Sequence, residues 1–328
     1  MNKNPIIQWG IIGCGDVTEK KSGPAFNKVP NSRLVAVMRR DAAKAEDYAR
    51  RHGVPYWYHN AGHLVSDPEV NAVYVATPPD THEHYVRLAL ESGKPVYVEK
   101  PMALNHASAL RMHALSRQYD NRLVVAHYRR EWPFFQHVKE LLDDGTIGEP
   151  LTISLQFYRE RLSDEELKRP GMQWRLDPGI SGGGLFHDLA PHQLDLLIWM
   201  FGEVAEASGR SVNLGKQYAA PDTVAGFIQF RSGVQFTGQW CFCAPPGESR
   251  DIIEVVGTEG RMHFPIFSEQ YLLLENKYGA RKFSYDDHEH VQLHMIDAVV
   301  RFFRGEGDNP CSAAEGAMTM RVMDAFSR

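Results

Sequence analysis

The first part of the chain alternates between short, uniformly hydrophobic runs and longer segments with helical periodicity. Runs without polar alternation occupy residues 6–12, 34–38, 72–76, 96–98 and 123–126. Strands that are buried on both faces of a sheet show this pattern. Segments of helical character separate the runs, at residues 42–51, 81–92 and 106–119. The repeated order of strand, helix and strand predicts right-handed crossovers and a doubly wound parallel sheet.

After about residue 127 the pattern changes to strands in which polar and apolar residues alternate. These strands are predicted at residues 151–158, 222–230, 234–241, 252–256, 261–264 and 271–275. Gly-containing connections at 231–233 and 257–260 are typical of hairpins. Helices are predicted at 132–143, in a stretch that ends at 201–202, at 291–304 and at 313–326. The second half therefore has a mainly antiparallel sheet.

The fold class that follows is α/β, with two domains. The first domain is predicted at residues 1–126, and an α+β domain at 127–328. The two are expected to meet near His127, where no low-complexity linker separates them. The C-terminal helix is a candidate for packing back onto the first domain.

Composition and charge narrow the classes of partner. The chain has 328 residues, of which 43% are hydrophobic and 23% charged, as in a globular protein. Its 36 Lys and Arg against 41 Asp and Glu give a formal charge of -5, and neither sign forms a block. This balance argues against a nucleic acid or an anionic membrane as partner. We expect a small neutral or anionic ligand.

The N-terminus and the cysteines indicate the compartment. The apolar stretch before Asp16 is short and no small-residue cleavage pattern follows, so we expect neither a signal peptide nor a membrane span. No C-x-x-C pair is formed by the four cysteines, Cys14, Cys241, Cys243 and Cys311. This usage fits a reducing interior, and we expect a cytoplasmic protein.

A glycine-rich turn directly behind the first strand is the strongest local signal. A dinucleotide needs a tight turn between strand and helix whose backbone N–H groups face the pyrophosphate. Thr18 takes the third position of the motif, where Gly or Ala is usual. An ordinary glycine turn is the alternative, which the surrounding strand–helix–strand pattern disfavours. The candidate cofactor residues here are Gly13, Cys14, Gly15, Asp16 and Val17.

The second strand continues into Arg39 and Arg40, where an NAD site usually has an acidic residue for the ribose diol. A cation at this place pairs with a 2′-phosphate, and the Arg40 guanidinium can stack on the adenine. We therefore expect NADP(H) in preference to NAD(H). The alternative is a pair of solvated arginines at the start of a surface loop, with Asp41 reaching the ribose.

Two further segments end strands at the carboxyl edge of the sheet, where ligands bind. One of them continues into a helix whose N-cap is Asp80 or Thr81. The other ends in the charged pair Glu99-Lys100, which either forms a salt bridge or supplies a catalytic cation. The candidate cofactor residues in the two segments are Thr77, Pro78, Pro79, His82, Glu99 and Lys100.

Asp188 and His192 follow the triple glycine at residues 182–184. They are spaced i and i+4, so a helix would place them on one face, where a carboxylate can orient an imidazole for proton transfer. In the alternative, Asp188 is an N-cap, Pro191 lies in the first turn, His192 is merely buried and Asp195 is a solvated charge. The other histidine cluster, at residues 288–294, lacks the spacing of a metal motif, and we predict no metal.

The chain resembles the Gfo/Idh/MocA family of oxidoreductases over essentially its whole length. The matching landmarks are Gly13-Cys14-Gly15, Ala76-Thr77-Pro78-Pro79, Glu99-Lys100-Pro101, the Gly-Thr-Ile-Gly at 145–148, the glycines at 182–184 with Asp188 and His192, and the Gly-Thr-Glu-Gly at 257–260. The resemblance implies an N-terminal Rossmann domain and a C-terminal domain with an open-faced sheet, which is often used for dimerisation. A homodimer or homotetramer formed through that face is the expected assembly.

The resemblance also implies an enzyme that transfers a hydride between a nicotinamide and a hydroxyl or carbonyl carbon of a sugar, a cyclitol or a related diol. Lys100, Asp188 and His192 are then the catalytic residues. The family's substrate pocket falls at Tyr128, Arg130, Trp174 and Arg175. Under this hypothesis His192 takes the proton of a substrate hydroxyl, Lys100 stabilises the alkoxide, and Asp188 orients His192 or holds a neighbouring hydroxyl.

Other members of the family leave alternatives open. Some relatives use a bound nicotinamide transiently to cleave glycosides, and others are ligand-sensing regulators without turnover. Reductases that act on trans-dihydrodiols or on a tetrapyrrole fit as well. The proton-transfer pair argues against a sensor, whereas the same residues do not separate a dehydrogenase from an NAD-dependent glycosidase.

Overall fold

A computed structural model describes residues 6–327 of the chain. The chain forms two compact units, one made of the residues up to Glu131 with His288–Met320, and the other of Trp132–Asp287 with the residues from Arg321 on. The sequence-based division at residue 126 stays a prediction about domains. The return of 288–320 to the first unit has no signal in the hydrophobic pattern, because an amphipathic helix shows the same periodicity whichever sheet it covers.

The described part of the first unit contains a six-stranded sheet in which every pair of neighbours is parallel. Its strands are β1 (Ile7–Ile12), β2 (Ser32–Met38), β3 (Tyr56–Tyr58), β4 (Ala72–Val75), β5 (Val96–Val98) and β6 (Leu123–Val125). Their order in the sheet is β3-β2-β1-β4-β5-β6, which confirms the predicted doubly wound parallel sheet.

The second unit contains an eight-stranded sheet among the residues described, with the order β14-β13-β12-β11-β7-β10-β9-β8. Its strands are β7 (Pro150–Glu160), β8 (Val204–Val212), β9 (Thr223–Phe230), β10 (Gln235–Ala244), β11 (Arg250–Gly257), β12 (Gly260–Phe264), β13 (Tyr271–Asn276) and β14 (Gly279–Ser284). Neighbours are antiparallel except β7 and β10. The predicted antiparallel sheet and both predicted hairpins, β9–β10 and β11–β12, are confirmed.

Helices flank both sheets. They are α1 (Asp16–Lys20), α2 (Ala42–His52), α3 (Ala61–Ser66), α4 (His82–Glu91), α5 (His106–Gln118), α6 (Pro133–Asp143), α7 (Asp164–Lys168), α8 (Pro170–Leu176), α9 (Pro178–Ser181), α10 (Gly184–Phe201), α11 (Leu293–Phe303) and α12 (Ala313–Phe326). Asp41 and Asn105 cap α2 and α5 by accepting from backbone N–H groups. Within residues 6–327, no helix is long and apolar enough to cross a membrane.

Each unit has an aromatic core. In the first unit Trp9 lies with its ring centroid 4.8 Å from that of Phe26, and the buried rings of Tyr74 and Tyr97 stack at 5.1 Å. In the second unit Trp240, fully buried on β10, packs edge-on against Phe186 of α10 at 5.2 Å. The two buried tyrosines carry hydroxyl groups that need partners. Tyr74 donates to Glu99, just after β5, and Tyr97 donates to Gln292, just before α11.

Candidate active site

The glycine loop after β1 is held tightly against its neighbours. The backbone N–H groups of Gly13 and Cys14 both donate to Met38 O, at 2.9 and 3.2 Å. Gly13 has a φ of +95°, and a Cβ at this position would lie 2.7 Å from Thr77 Cγ2. A Cβ at Gly15 would instead meet only Gly13 O, at 3.9 Å. The protein leaves open space at Gly15, which is the room that the backbone needs to approach a pyrophosphate.

The unusual Thr18 has a structural explanation. Its side chain is fully buried, and its hydroxyl donates to Gly15 O at 2.8 Å. The Tyr48 hydroxyl of α2 in turn donates to Thr18 O at 2.9 Å. Burial raises the pKa of Tyr48 to about 12, so this hydroxyl keeps its proton. Thr18 therefore ties the glycine loop to α2. The two other loop candidates lie at the start of α1, where Asp16 is exposed and Val17 is partly exposed.

Arg39 follows β2 at the carboxyl edge of the parallel sheet. Its backbone N–H donates to Tyr58 O at 3.1 Å, and its guanidinium Nη1 donates to Cys14 O at 3.3 Å. The cation therefore lies over the glycine loop instead of extending into solvent. Burial raises the pKa of the Cys14 thiol to about 11, with Arg39 acting in the opposite direction.

Arg40 and Asp41 have different surroundings. Arg40 is exposed. Asp41 accepts from Lys44 N at 3.2 Å as the N-cap of α2, and the hydrogen bond from that N–H holds the pKa of the exposed Asp41 carboxyl below its usual range. The alternative in which Asp41 reaches a ribose would compete with this capping bond.

The segment after β4 is closed by side-chain hydrogen bonds. Thr81 is the N-cap residue of α4, as predicted, but its hydroxyl makes no capping bond and instead lies 2.9 Å from both Thr77 Oγ1 and Pro78 O. His82 is fully buried, with Nε2 2.7 Å from Thr77 O and Nδ1 3.1 Å from Pro101 O. Burial lowers the pKa of His82. Of these candidates, Thr77 and Pro78 are partly exposed, whereas Pro79 and His82 are buried.

Glu99 and Lys100 end β5 at the same sheet edge. The Glu99 carboxylate is 6% exposed and accepts from the Tyr74 hydroxyl, from Gln292 Nε2 and from the backbone N–H of Lys100, the last at 3.2 Å. The Tyr97 hydroxyl donates to Gln292 Oε1 at 2.9 Å. Burial, and the charge of Glu99 after it, raise the pKa of Tyr74. Lys100 is half-buried, and its peptide bond to Pro101 is cis.

In the second unit, α10 carries Asp188 and His192 on one helical face, as their spacing predicts. The helix begins at Gly184, so the alternative in which Asp188 is its N-cap is wrong. The alternative of a solvated Asp195 is also wrong, since that residue is 1% exposed. His192 is 5% exposed, with its ring edge-on to Phe267 at 5.6 Å.

Asp188 has an arginine partner. Arg175 Nε donates to Asp188 Oδ2 at 3.2 Å, and its guanidinium lies over the Trp174 ring, 4.4 Å from the centroid. Both members of the ion pair are partly exposed. Three of the predicted site residues therefore lie together near the start of α10: Trp174, Arg175 and Asp188. That Asp188 orients His192 stays a prediction.

The remaining substrate candidates lie in the first unit. Arg130 is 1% exposed, and its Nη1 donates to Glu315 Oε1, which gives it a structural partner. Tyr128 is 6% exposed. Their assignment to a substrate pocket stays a prediction. Among residues 6–327, no group of three or more His, Cys, Asp or Glu side chains is arranged to hold a metal ion.

Sequence reasoning missed Tyr74 and Gln292, which hold Glu99. Tyr74 had a usable signal, because a hydroxyl in the middle of the buried run at residues 72–76 must find a partner. Gln292 had none, because it lies almost 200 positions further along the chain and only the fold brings it to β5.

Comparisons with known proteins identify the family of the chain. Residues 7–127 match the family model "Oxidoreductase family, NAD-binding Rossmann fold", and residues 135–263 match "GFO/IDH/MocA C-terminal domain". The chain is 42% identical over 321 residues to Oxidoreductase P35 of Formosa agariphila, with 98% of each chain covered. It is 30% identical to the trans-1,2-dihydrobenzene-1,2-diol dehydrogenase of Mus musculus, covering 77% of this chain and 73% of that one.

A third relative is the inositol 2-dehydrogenase of Ralstonia nicotianae, which is 30% identical over 60% of this chain and 55% of its own. Among solved structures, levoglucosan dehydrogenase in complex with NADH superposes with a TM-score of 0.88 at 20% identity, covering 98% of this chain and 95% of that chain. At this identity the likeness shows the shared fold alone.

Proposed function

Because the chain belongs to the Gfo/Idh/MocA oxidoreductase family, as its sequence resemblance predicts, we propose that it oxidises a secondary hydroxyl of a sugar, cyclitol or related diol with NADP⁺, and reduces the carbonyl in the reverse direction. The observation that carries the proposal is the meeting of two features at one sheet edge. The glycine loop after β1 and Lys100 after β5 both lie at the carboxyl end of the parallel strands. The names of the relatives, which include inositol and dihydrodiol dehydrogenases, support the substrate class.

The residues of the first unit fit a nicotinamide dinucleotide. The open space at Gly15 would hold the pyrophosphate with the backbone of Gly13, Cys14, Asp16 and Val17. The cofactor, when bound, supplies or accepts the hydride. Arg39, with its guanidinium over the glycine loop, would pair with a 2′-phosphate, and Arg40 would cover the adenine. Thr77 and Pro78 would border the nicotinamide half of the site.

The reaction chemistry falls to three side chains. The Lys100 ammonium would donate a hydrogen bond to the reacting oxygen and stabilise it as negative charge develops. The His192 imidazole would take the proton of that hydroxyl, because a neutral imidazole is a competent base near pH 7. The Asp188 carboxylate, held by Arg175, would orient His192 or accept from a neighbouring substrate hydroxyl. Trp174 would offer a flat apolar surface to the substrate ring.

A panel assay tests this function. Purified protein is given NADP⁺ and then NAD⁺ with aldoses, polyols, inositols and a trans-dihydrodiol, and reduced nicotinamide is followed by absorbance. Steady reduction with one class is the expected result. Silence across the panel, with cofactor binding shown by fluorescence in the same samples, overturns the dehydrogenase. Product release from glycosides without net reduction would then identify a glycosidase.

We also propose a homo-oligomer that forms through the outer face of the second sheet. Along β10 the buried residues Phe236 and Trp240 alternate with the exposed Gln235, Thr237 and Gln239. These outward positions carry no charge, which is favourable for burial against a second copy. A cytoplasmic location is proposed as well, since none of the four cysteines is in a disulfide.

A further inference from the structure

The segment that carries Lys100 is held from below by buried polar groups. The carboxylate of its neighbour Glu99 accepts from Tyr74 Oη, from Gln292 Nε2 and from the Lys100 backbone N–H. Glu99 is only 6% exposed, so these donors, and not water, satisfy most of its lone pairs. The carboxylate is therefore engaged by donors inside the protein.

The orientation of Gln292 is fixed by a second tyrosine. The Tyr97 hydroxyl donates to Gln292 Oε1 at 2.9 Å, and this bond leaves the amide Nε2 directed at Glu99. Gln292 is fully buried and immediately precedes α11, so its position is anchored by that helix. The tyrosines come from β4 and β5 and stack on each other. Three elements thus converge on one carboxylate.

The other side of the segment is held by His82. Its Nδ1 lies 3.1 Å from Pro101 O and 3.3 Å from Met102 O, and its Nε2 lies 2.7 Å from Thr77 O. The ring lies between the loop after β4 and the loop after β5, and in its neutral form its single N–H donates to a carbonyl oxygen of one of them. The backbone on both sides of Lys100 is clamped, by Glu99 before it and by His82 after it.

We propose that Gln292, Tyr74 and His82 are positioning residues for Lys100: they fix the backbone from which its side chain reaches the substrate oxygen. The inference rests on the proposed role of Lys100. A lysine ammonium sits at the end of a flexible four-carbon stem, so its placement depends on its Cα. A misplacement of about 1 Å can cost roughly 100-fold in rate. The clamp thus acts on turnover through Lys100 without touching substrate.

The test compares Tyr74→Phe, Gln292→Met and His82→Gln with Tyr285→Phe as a matched control. The control substitution also removes a tyrosine hydroxyl that is hydrogen-bonded to a side chain, in this case His137 of the second unit. The three clamp variants are expected to lose about tenfold in kcat, while KM changes by less than about threefold. Cofactor affinity by fluorescence is expected to be unchanged in Tyr74→Phe and Gln292→Met. The control is expected to keep kcat within about twofold. Circular dichroism melts check that all four variants fold.

A readout that is independent of turnover is hydrogen exchange of the peptide that spans residues 96–103. Loss of a clamp group is expected to speed exchange in this peptide in Tyr74→Phe and Gln292→Met, and not in Tyr285→Phe, because the Lys100 N–H donates to the carboxylate that these groups hold. Unchanged exchange together with unchanged kcat overturns the inference.

A Lys100→Ala background separates the clamp from the proposed function. If ethylamine restores turnover to Lys100→Ala, adding Tyr74→Phe should cost less than about twofold further, since a free amine needs no clamped backbone. A further loss as large as in the wild-type background means that Tyr74 acts elsewhere, and it overturns the inference. If instead Lys100→Ala keeps full turnover while the clamp variants speed exchange, the proposed role of Lys100 fails and the clamp stands as a structural device only.

Discussion

At the scale of single residues, two cations lie at the carboxyl edge of the parallel sheet, and we propose that one sets cofactor choice and the other takes part in the chemistry. Arg39 lies over the glycine loop through its bond to Cys14 O. Lys100 follows Glu99 at the end of β5. Arg33 at the start of β2 is a second arginine on the strand that precedes Arg39, and Lys94 just before β5 is a second lysine beside the strand that precedes Lys100. These two residues serve as matched controls.

Arg39→Asp is expected to reverse the preference from NADPH toward NADH. The substitution removes the partner of a 2′-phosphate and offers a carboxylate to a ribose diol, and a hydrogen bond to a charged group is worth about 1.5–3 kcal/mol, or roughly 10- to 150-fold. The ratio of kcat/KM for the two cofactors measures the change. Arg33→Asp is the control, because Arg33 is half-exposed and lies at the start of β2, at the opposite end of the strand from Arg39. An unchanged ratio in Arg39→Asp would remove the phosphate from this site.

Lys100→Met is expected to lose at least about 100-fold in kcat, because a positioned cation that stabilises a developing oxyanion contributes this much. Cofactor affinity, measured by fluorescence, should survive. Lys94→Met is the control: Lys94 precedes β5, and its Nζ donates to Asp67 O at 3.0 Å. This control should melt at a lower temperature and still turn over. Full activity in Lys100→Met contradicts the mechanism.

At the scale of elements, α10 brings together the groups that would act on substrate. The left-handed Gly184 starts the helix, Asp188 pairs with Arg175, and His192 follows one turn later. The same helix buries His187, which is 2% exposed. Burial lowers the pKa of His187 to about 4. The helix therefore holds an imidazole whose protonation is disfavoured in the folded protein.

This burial predicts loss of stability in acid. The pKa of His187 is about 4 in the folded protein and near 6.5 unfolded, so the unfolded chain binds the proton first as pH falls. The contribution of neutral His187 to the free energy of unfolding is present above pH 6.5 and is lost as the pH falls toward 4. Between pH 7 and pH 5 the contribution amounts to about 2 kcal/mol. Urea unfolding at the two pH values should show a smaller difference in His187→Gln than in the wild type or in the exposed His84→Gln. Equal pH dependence in all three would contradict the assignment.

At the scale of the whole molecule, the two sheets differ in how their faces are buried. The parallel sheet is buried on both faces, whereas the larger sheet has one buried and one polar face. The outward positions Gln235, Thr237 and Gln239 of β10 carry no charge, and we propose that this part of the face associates with a second copy.

Thr237→Arg combined with Gln239→Arg is expected to dissociate the oligomer. The two positions are adjacent outward sites on β10, and a buried interface cannot easily solvate four arginines from two copies. Light scattering measures the mass in solution. Gln118→Arg, at the exposed end of α5, is the control and should keep the wild-type mass. If the double variant and the wild type have the same mass, the interface lies elsewhere.

Prediction from the sequence was accurate where the signal is local. The five hydrophobic runs became β1, β2, β4, β5 and β6, and the alternating segments became the centre of the second sheet. The edge strands β3, β8 and β14 were missed. Edge strands bury little, so their residues, such as the exposed Tyr56 and Trp57, need not follow a hydrophobic pattern.

The candidate site divides in the same way. Chemical type and backbone geometry are local, so the sequence itself determined the glycine turn, the cations at residues 39 and 100, and the i, i+4 pair on α10. The hydrogen-bond and ion-pair partners of these residues depend on which side chains lie near them in the folded protein. Only the tertiary structure decided that Arg175 holds Asp188, that Arg130 pairs with Glu315, and that Gln292 reaches Glu99 from 193 positions away. Side chains of such separation meet only once the strands and helices have packed, because no local pattern encodes a contact between distant segments.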